Sequence, residues 1–249
     1  MARSVQGRTA LVTGASRGIG RAIVEALASE GASVFAHSRR AEPAFLGDMS
    51  ELAGRHDVDI WPIHFDLRDS AEMKRVITSE IPARPGIDIL VNNAGVAHGG
   101  LLQMTPMQTV REVFDVNFFA QVELTQLMLR RMNRVGTASV VNVASIVGMD
   151  LQAGNIAYGC SKAALIAATK TLAAEMAPQK IRFNAVAPGL TETDMAKQMD
   201  PRAGAQMIEA SAMKRPAHPR EIAEVVLFLS SDASSFVNGQ VLRLDGGSA

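Results

Sequence analysis

The stretch Thr13-Gly14-Ala15-Ser16-Arg17-Gly18-Ile19-Gly20 constrains this 249-residue chain more than any other. It joins a short apolar run, Ala10-Leu11-Val12-Thr13, to a helical pattern. Gly14 makes the tight turn, Gly18 removes a Cβ where an anion must come close, and Gly20 lets the next helix lie against the sheet. The free N–H groups and the positive dipole end of that helix then face the anion. The stretch reads as a phosphate cradle contributed by Gly14, Ser16, Arg17, Gly18, Ile19 and Gly20. Its context supports this: Gly31 ends the helix and Ala32 to Ala36 supplies a second strand, which completes a βαβ unit of about thirty residues.

Strand-like runs recur at Thr9 to Val12, Val34 to His37, Ile60 to Phe65, Ile87 to Val91, Ser139 to Val143, Arg182 to Ala187 and Val241 to Leu244. Helical patterns lie between them at Gly18 to Glu30, Asp69 to Glu80, Met107 to Asn133, Asn155 to Ala177 and Pro219 to Ser231. The alternation predicts an α/β fold: one Rossmann-type, doubly wound parallel sheet of about seven strands with helices on both faces. We expect a single domain over residues 1–249, with ligands at the carboxyl ends of the strands.

Lys plus Arg and Asp plus Glu are 25 each, so no positive field exists to draw nucleic acid. A lone cysteine, Cys160, forms no internal disulfide, and no run is long and apolar enough for a membrane span. A soluble, cytoplasmic protein is expected. Cys160 reads as packing, since no base is placed beside it. His37, His56, His64, His98 and His218 show no paired ligand spacing, so no metal is expected, and they read as surface or loop residues.

After the second strand comes Ser38-Arg39-Arg40. An acid about there holds the adenosine ribose of NAD, whereas an arginine accommodates the 2′-phosphate of NADP. Positions 37 to 40 carry no acid and Arg17 adds a cation, so NADP(H) is the expected cofactor, with Ser38 and Arg39 at the phosphate. The arginines alternatively solvate a loop. Asp66, followed by Leu67, either accepts from the adenine amine or caps the helix starting near Asp69. In Asn92-Asn93-Ala94-Gly95 the asparagines satisfy strand ends, and Asn93, Ala94 and Gly95 keep the backbone close to a ribose, unless the loop is a plain turn.

Three later residues carry the chemistry. Ser145 stands just past the strand ending in Val143, and Tyr158 and Lys162 lie four apart, on one helix face. Tyrosine is a poor acid near neutrality. A lysine charge about 5 Å away at an effective dielectric of about 20 contributes roughly 3 kcal/mol, or about two pKa units, towards the phenolate. That makes Tyr158 a general-acid candidate.

With Thr13-Gly14-x-x-x-Gly18-x-Gly20, Asn92-Asn93-Ala94-Gly95, Asn117, Ser145, Tyr158-x-x-x-Lys162 and Pro188-Gly189, the chain resembles the short-chain dehydrogenase/reductase family along essentially its whole length. The resemblance implies that Tyr158 protonates a substrate carbonyl oxygen while Ser145 hydrogen-bonds it. It implies that Lys162 lowers the tyrosine pKa and holds the nicotinamide ribose, and that Asn117 holds a water relaying protons from Lys162. Pro188, Gly189 and Thr191 would support the carboxamide. Within the family, Ile181 to Met195 and the tail from Glu221 to Gly247 look closest to bacterial 3-oxoacyl-(acyl-carrier-protein) reductases. The second helix region, Ala41 to Asp57, and the uncharged Val96-Ala97-His98-Gly99-Gly100 depart from that group.

The expected function is NADP(H)-dependent reduction of a ketone, or the reverse, with a 3-oxoacyl thioester as substrate. An alcohol, polyol or sugar dehydrogenase is the alternative within the family, and a non-catalytic dinucleotide-binding sensor the one outside it. Val96, Ile146, Val147, Met149, Leu151 and the loop from Leu190 through Met213 should line the substrate side. Residues 190–216 read as a lid, whose Met195, Met199, Met207 and Met213 either line an apolar site or pack a helix. An acyl-carrier protein would dock on Arg130, Arg131 and Arg134, unless these are a solvated helix end. Val110, Val113, Phe114, Phe118, Phe119, Val122 and Leu127 exceed what one sheet can cover, which points to subunit contacts. The resemblance implies a homotetramer.

Overall fold

The computed structural model describes residues 4–81, 86–132 and 138–248. Seven parallel strands form one sheet in the order β3-β2-β1-β4-β5-β6-β7. They are β1 Thr9–Val12, β2 Ser33–Ser38, β3 Ile60–His64, β4 Ile89–Asn92, β5 Ala138–Val143, β6 Ile181–Pro188 and β7 Val241–Leu244. The central strands are buried on both faces because their residues alternate between two apolar layers. Ala10, Val12, Ile89 and Val91 face one core with Ile23, Leu27, Met49, Val226 and Leu229. Leu11, Leu90, Val140 and Phe183 face the other with Met73, Ile77, Leu124 and Met128.

The helices are α1 Gly18–Ser29, α2 Pro43–His56, α3 Ser70–Glu80, α4 Met107–Phe114, α5 Ala120–Met132, α6 Ile156–Met176, α7 Asp194–Lys197, α8 Pro201–Ala210 and α9 Pro219–Ser230; α1, α2 and α9 supply the first layer and α3, α5 and α6 the second. Helix α2 falls in the second helix region expected from the resemblance, Ala41 to Asp57, although the periodic patterns of the sequence do not include it. Its buried residues Phe45, Met49 and Leu52 are nonetheless at helical spacing, with Pro43 opening the first turn. The expected helix from Met107 to Asn133 is also revised: a π turn, Asp115–Phe119, separates α4 from α5. Asn133 and Arg134 lie outside the described residues. Among the described residues, no helix is long and apolar enough to cross a membrane.

A buried polar ladder fixes how the sheet meets its helices. Asn92 Nδ2 donates to Thr125 Oγ1 at 3.0 Å and to Asn142 Oδ1 at 2.8 Å, and Asn142 Nδ2 donates to Thr169 Oγ1 at 2.8 Å. It ties α5 to β4, β4 to β5 and β5 to α6, which sets α6 at a defined height over the carboxyl ends of the strands.

The order reverses between β1 and β4, where a crevice opens above the strand ends. At its floor a Cβ on Gly20 would stand 2.1 Å from the Gly14 carbonyl oxygen and 2.5 Å from Asn93 Nδ2. We predict that Gly20→Ala costs about 3 kcal/mol in urea unfolding. Gly47→Ala, on α2 with nothing within 4 Å of an added Cβ, should instead add about 0.5–1 kcal/mol. Equal effects would mean that α1 does not depend on this close approach.

Candidate active site

The crevice is a cleft of about 2000 Å³. Gly14, Ser16, Arg17, Gly18, Ile19, Gly20, Ser38, Arg39, Asp66, Leu67, Asn93, Ala94, Gly95, Ser145, Tyr158, Lys162, Pro188, Gly189 and Thr191 all line it. Asn117 lies behind the wall, fully buried.

At the cradle, Gly14 and Gly18 take left-handed φ values of 67° and 56°, as the turn requires. Asn93 Nδ2 donates to the Thr13 and Gly14 carbonyls at 2.9 and 3.2 Å, while Thr13 Oγ1 accepts from the Asn93 and Ala94 N–H groups at 2.9 and 3.0 Å. The two loops therefore brace each other across β1 and β4. Arg17 stands 3.5 Å from Asp194 on α7, so the cradle's cation is shared with the segment above it. Asp194 also pairs with Lys197 at 2.9 Å.

His37 corrects the expectation that the histidines are surface or loop residues. It belongs to β2 and is 2 % exposed. Its Nδ1 accepts from Gly14 N–H at 3.3 Å, its Nε2 stands 3.0 Å from the Phe65 carbonyl oxygen, and its own carbonyl accepts from Ala15 N–H at 2.8 Å. Burial lowers the imidazole pKa to about 4, so the ring is neutral near pH 7. The available signal was its place in the apolar run Val34-Phe35-Ala36-His37, one residue before Ser38.

Around it, the Ser38 hydroxyl donates to the Arg40 carbonyl at 2.8 Å and lies 3.0 Å from His64 Nδ1. Among the described residues, Arg39 and Arg40 form no ion pair. Asp66 does not cap α3; Asp69 does, accepting from Glu72 N–H at 2.9 Å. The Asp66 carboxylate is instead gripped by Arg68 at 2.8 and 3.2 Å, which lowers its pKa to about 2.

The other half of the cleft is built on α6 and the loop after β5. Ser145 opens a single 3-10 turn, Ile146–Gly148, its Oγ accepting from Val147 N–H at 3.3 Å. A Cβ on Gly148 would lie 2.8 Å from the Lys162 backbone carbonyl carbon, so this turn rests directly on α6. Ser145 therefore stands opposite Tyr158 and Lys162. Burial raises the Tyr158 pKa while the Ser145 hydroxyl works against that rise. The expected lowering by Lys162 is not what dominates: the ammonium is 5.9 Å from the ring centroid and donates to the Val143 carbonyl at 2.7 Å. Lys162 is 4 % exposed, and burial lowers its own pKa to about 8. Its main-chain acceptor has no signature in side-chain sequence.

Asn117 sits in the π turn with its amide engaged. Oδ1 accepts from Val96 N–H at 2.8 Å, and Nδ2 donates to the Val96 carbonyl at 2.9 Å and to Ser161 Oγ at 3.0 Å. The Ser161 hydroxyl in turn donates to the Tyr158 carbonyl at 2.7 Å. The side chain thus clamps the loop after β4 to α6.

On the substrate side, Val96, Ile146, Val147, Met195, Met199, Met207 and Met213 line the cleft, whereas Met149 and Leu151 are exposed outside it. Helices α7 and α8 bury no residue of their own. Leu190 and Glu192 pair with Ala217, which ties the two ends of this segment together. The wall also holds a charged group that sequence reading missed. Arg243 on β7 pairs with Asp150 at 2.5 Å and with Asp245. Period-two alternation in Val241-Leu242-Arg243-Leu244 was its signal.

A family model described as enoyl-(acyl carrier protein) reductase matches residues 14–249. The 3-oxoacyl-[acyl-carrier-protein] reductase FabG of Aquifex aeolicus is 37% identical over 243 residues, 98% of each chain. Among solved structures, an Agrobacterium tumefaciens chain described as a gluconate dehydrogenase superposes with a TM-score of 0.92 at 30% identity, covering 99% of this chain and 98% of that one. A Beutenbergia cavernae chain with bound NADP, described as an NAD(P)-dependent gluconate 5-dehydrogenase, gives 0.91 at 33% identity with the same coverage. With a glycine cradle at one end of the cleft and a serine, a tyrosine and a buried lysine at the other, the chain belongs to the short-chain dehydrogenase/reductase family of oxidoreductases.

Proposed function

We propose that the chain reduces a ketone to a secondary alcohol with NADPH, or runs the reverse, and that its physiological ketone is a 3-oxoacyl thioester. The observation that carries this reading is the Lys162 ammonium. It has three N–H donors in the cleft wall and, among the described residues, one protein acceptor, the Val143 carbonyl. A buried charge with free donors wants hydroxyl partners, and the ribose hydroxyls of a dinucleotide supply them.

The rest of the cleft fits the same group. Ser16, Arg17, Gly18, Ile19 and Gly20 would hold the pyrophosphate at the N-terminus of α1, with Gly14 making the turn beneath it. Ser38 and Arg39 would hold a 2′-phosphate, Asp66 and Leu67 the adenine, and Asn93, Ala94 and Gly95 a ribose. Pro188, Gly189 and Thr191 would support the carboxamide. The NADP bound to the Beutenbergia cavernae relative supports the choice of nucleotide.

When bound, NADPH supplies the hydride. The protein's part is to orient the carbonyl and receive the charge on its oxygen. Tyr158, a phenol whose pKa burial raises above its ordinary value, donates the proton. The Ser145 hydroxyl donates a second hydrogen bond to the same oxygen. The Lys162 ammonium, still largely charged near pH 7, holds the ribose side and favours the phenolate left behind. The Asn117 side chain keeps the Val96 loop and α6 in register, which leaves its main-chain carbonyl to hold the water of a proton relay from Lys162.

The identity to 3-oxoacyl-[acyl-carrier-protein] reductases and the four cleft methionines support an acyl substrate under a lid of residues 190–216. Of the three arginines expected to meet an acyl-carrier protein, Arg130 is exposed, Arg131 is tied to the Ile77 carbonyl at 3.0 Å, and Arg134 lies outside the described residues. The exposed Phe119 and Val122 support association of copies along α4 and α5, in keeping with a homotetramer. A sugar-acid substrate is the second reading, favoured by the gluconate dehydrogenase neighbours and by Asp150, Gln152, Arg243 and Asp245 in the wall.

A panel of ketones followed by loss of NADPH absorbance separates the two: turnover of an acetoacetyl thioester above a keto sugar acid is expected, and the opposite order selects the second reading. Tyr158→Phe should keep NADPH affinity and lower kcat by about a hundredfold or more; wild-type turnover removes Tyr158 from the chemistry. Arg39→Asp should shift the kcat/KM preference towards NADH, and an unchanged ratio would move the 2′-phosphate elsewhere.

A further inference from the structure

We propose that His37 is a positioning residue for cofactor binding: by accepting from Gly14 N–H it sets the first turn of the phosphate cradle. The proposal rests on the dinucleotide reading above and assigns work to a residue that touches no reacting atom. Gly14 N–H can only donate, so Nδ1 is the acceptor at 3.3 Å. In the neutral ring the proton then belongs to Nε2, which donates to the Phe65 carbonyl at 3.0 Å. The Phe65 ring lies against the imidazole with centroids 4.0 Å apart, which fixes its plane. With the His37 carbonyl accepting from Ala15 N–H at 2.8 Å, one residue ties down the first two N–H groups of the turn.

The consequence is selective. Gly14 and Ala15 N–H are withdrawn from any anion, which leaves the N–H groups from Ser16 onward, at the start of α1, to meet the pyrophosphate. The same imidazole binds the end of β2 to the segment just after β3, where Arg39 and Asp66 face the adenosine end. The glycine turn and the adenosine wall are therefore held at one spacing by a single tautomer.

The test uses two isosteric substitutions. Asn offers an oxygen where Nδ1 stands, and Gln offers an N–H where Nε2 stands. By isothermal titration with NADPH, His37→Asn should remain within about threefold of wild type, whereas His37→Gln should bind about tenfold more weakly, the effect of one lost hydrogen bond. kcat at saturating NADPH should be unchanged in both, since Tyr158 and Lys162 stand at the other end of the cleft. Equal affinities for the Asn and Gln variants, or losses that follow melting temperature and not the nitrogen replaced, would overturn the proposal. Histidine 15N NMR on the unsubstituted chain probes the same tautomer without a mutation: Nδ1 unprotonated and Nε2 protonated is expected, and the opposite tautomer contradicts it. A wild-type chain that binds no NADPH overturns the cofactor reading itself.

Discussion

A charged lysine buried at the carboxyl end of a parallel sheet is the constraint around which the rest of the cleft is arranged. Lys162 is placed where its charge is costly, and burial lowers its pKa to about 8. Its one protein acceptor among the described residues is a strand-end carbonyl, Val143. Holding it there requires small groups on two sides. A Cβ on Gly95 would come within 3.4 Å of Nζ, and one on Gly148 would strike the Lys162 backbone. The Asn92–Asn142–Thr169 ladder sets the height of α6, and Asn117 with Ser161 sets its distance from the β4 loop. Such an arrangement gives up stability for a positioned cation, as sites built for chemistry commonly do.

The two ends of the cleft differ in character. The end beside the glycine cradle gathers Arg17, Arg39, Arg40 and Arg68, two of them already balanced by Asp194 and Asp66. The substrate end mixes methionine side chains from α7, α8 and the following turn with the Asp150–Arg243–Asp245 group. Arg17 links them, because its acidic partner Asp194 sits on α7, the helix that also carries the cleft residue Met195.

The parallel sheet was legible because its signals are local. Each strand is a short apolar run bounded by turn residues, and the Gly14, Gly18 and Gly20 spacing announces a strand, a turn and a helix in that order. Tyr158 and Lys162 could be paired because helical periodicity alone brings them together. What escaped depends on partners distant in sequence or on the main chain. The Phe45, Met49 and Leu52 stripe of α2 was obscured by Gly47 and Gly54, which weaken helix propensity. The π turn at Asp115–Phe119 inserts an irregularity that periodicity does not reveal. Asp66 and Asp69 both suit a cap, and only packing decides that Asp69 takes it. The Tyr158 environment was misjudged because charge attraction can be estimated from spacing, whereas burial cannot.

The central claim is that the cradle and the Ser145, Tyr158 and Lys162 group serve one bound dinucleotide. A crystal structure of the chain with NADP tests it most directly. The account predicts the pyrophosphate over the N-terminus of α1, with the nicotinamide ribose hydroxyls within hydrogen-bonding distance of Lys162 Nζ and Tyr158 Oη. A dinucleotide bound elsewhere, or one whose nicotinamide end leaves Lys162 without a ligand partner, would contradict it.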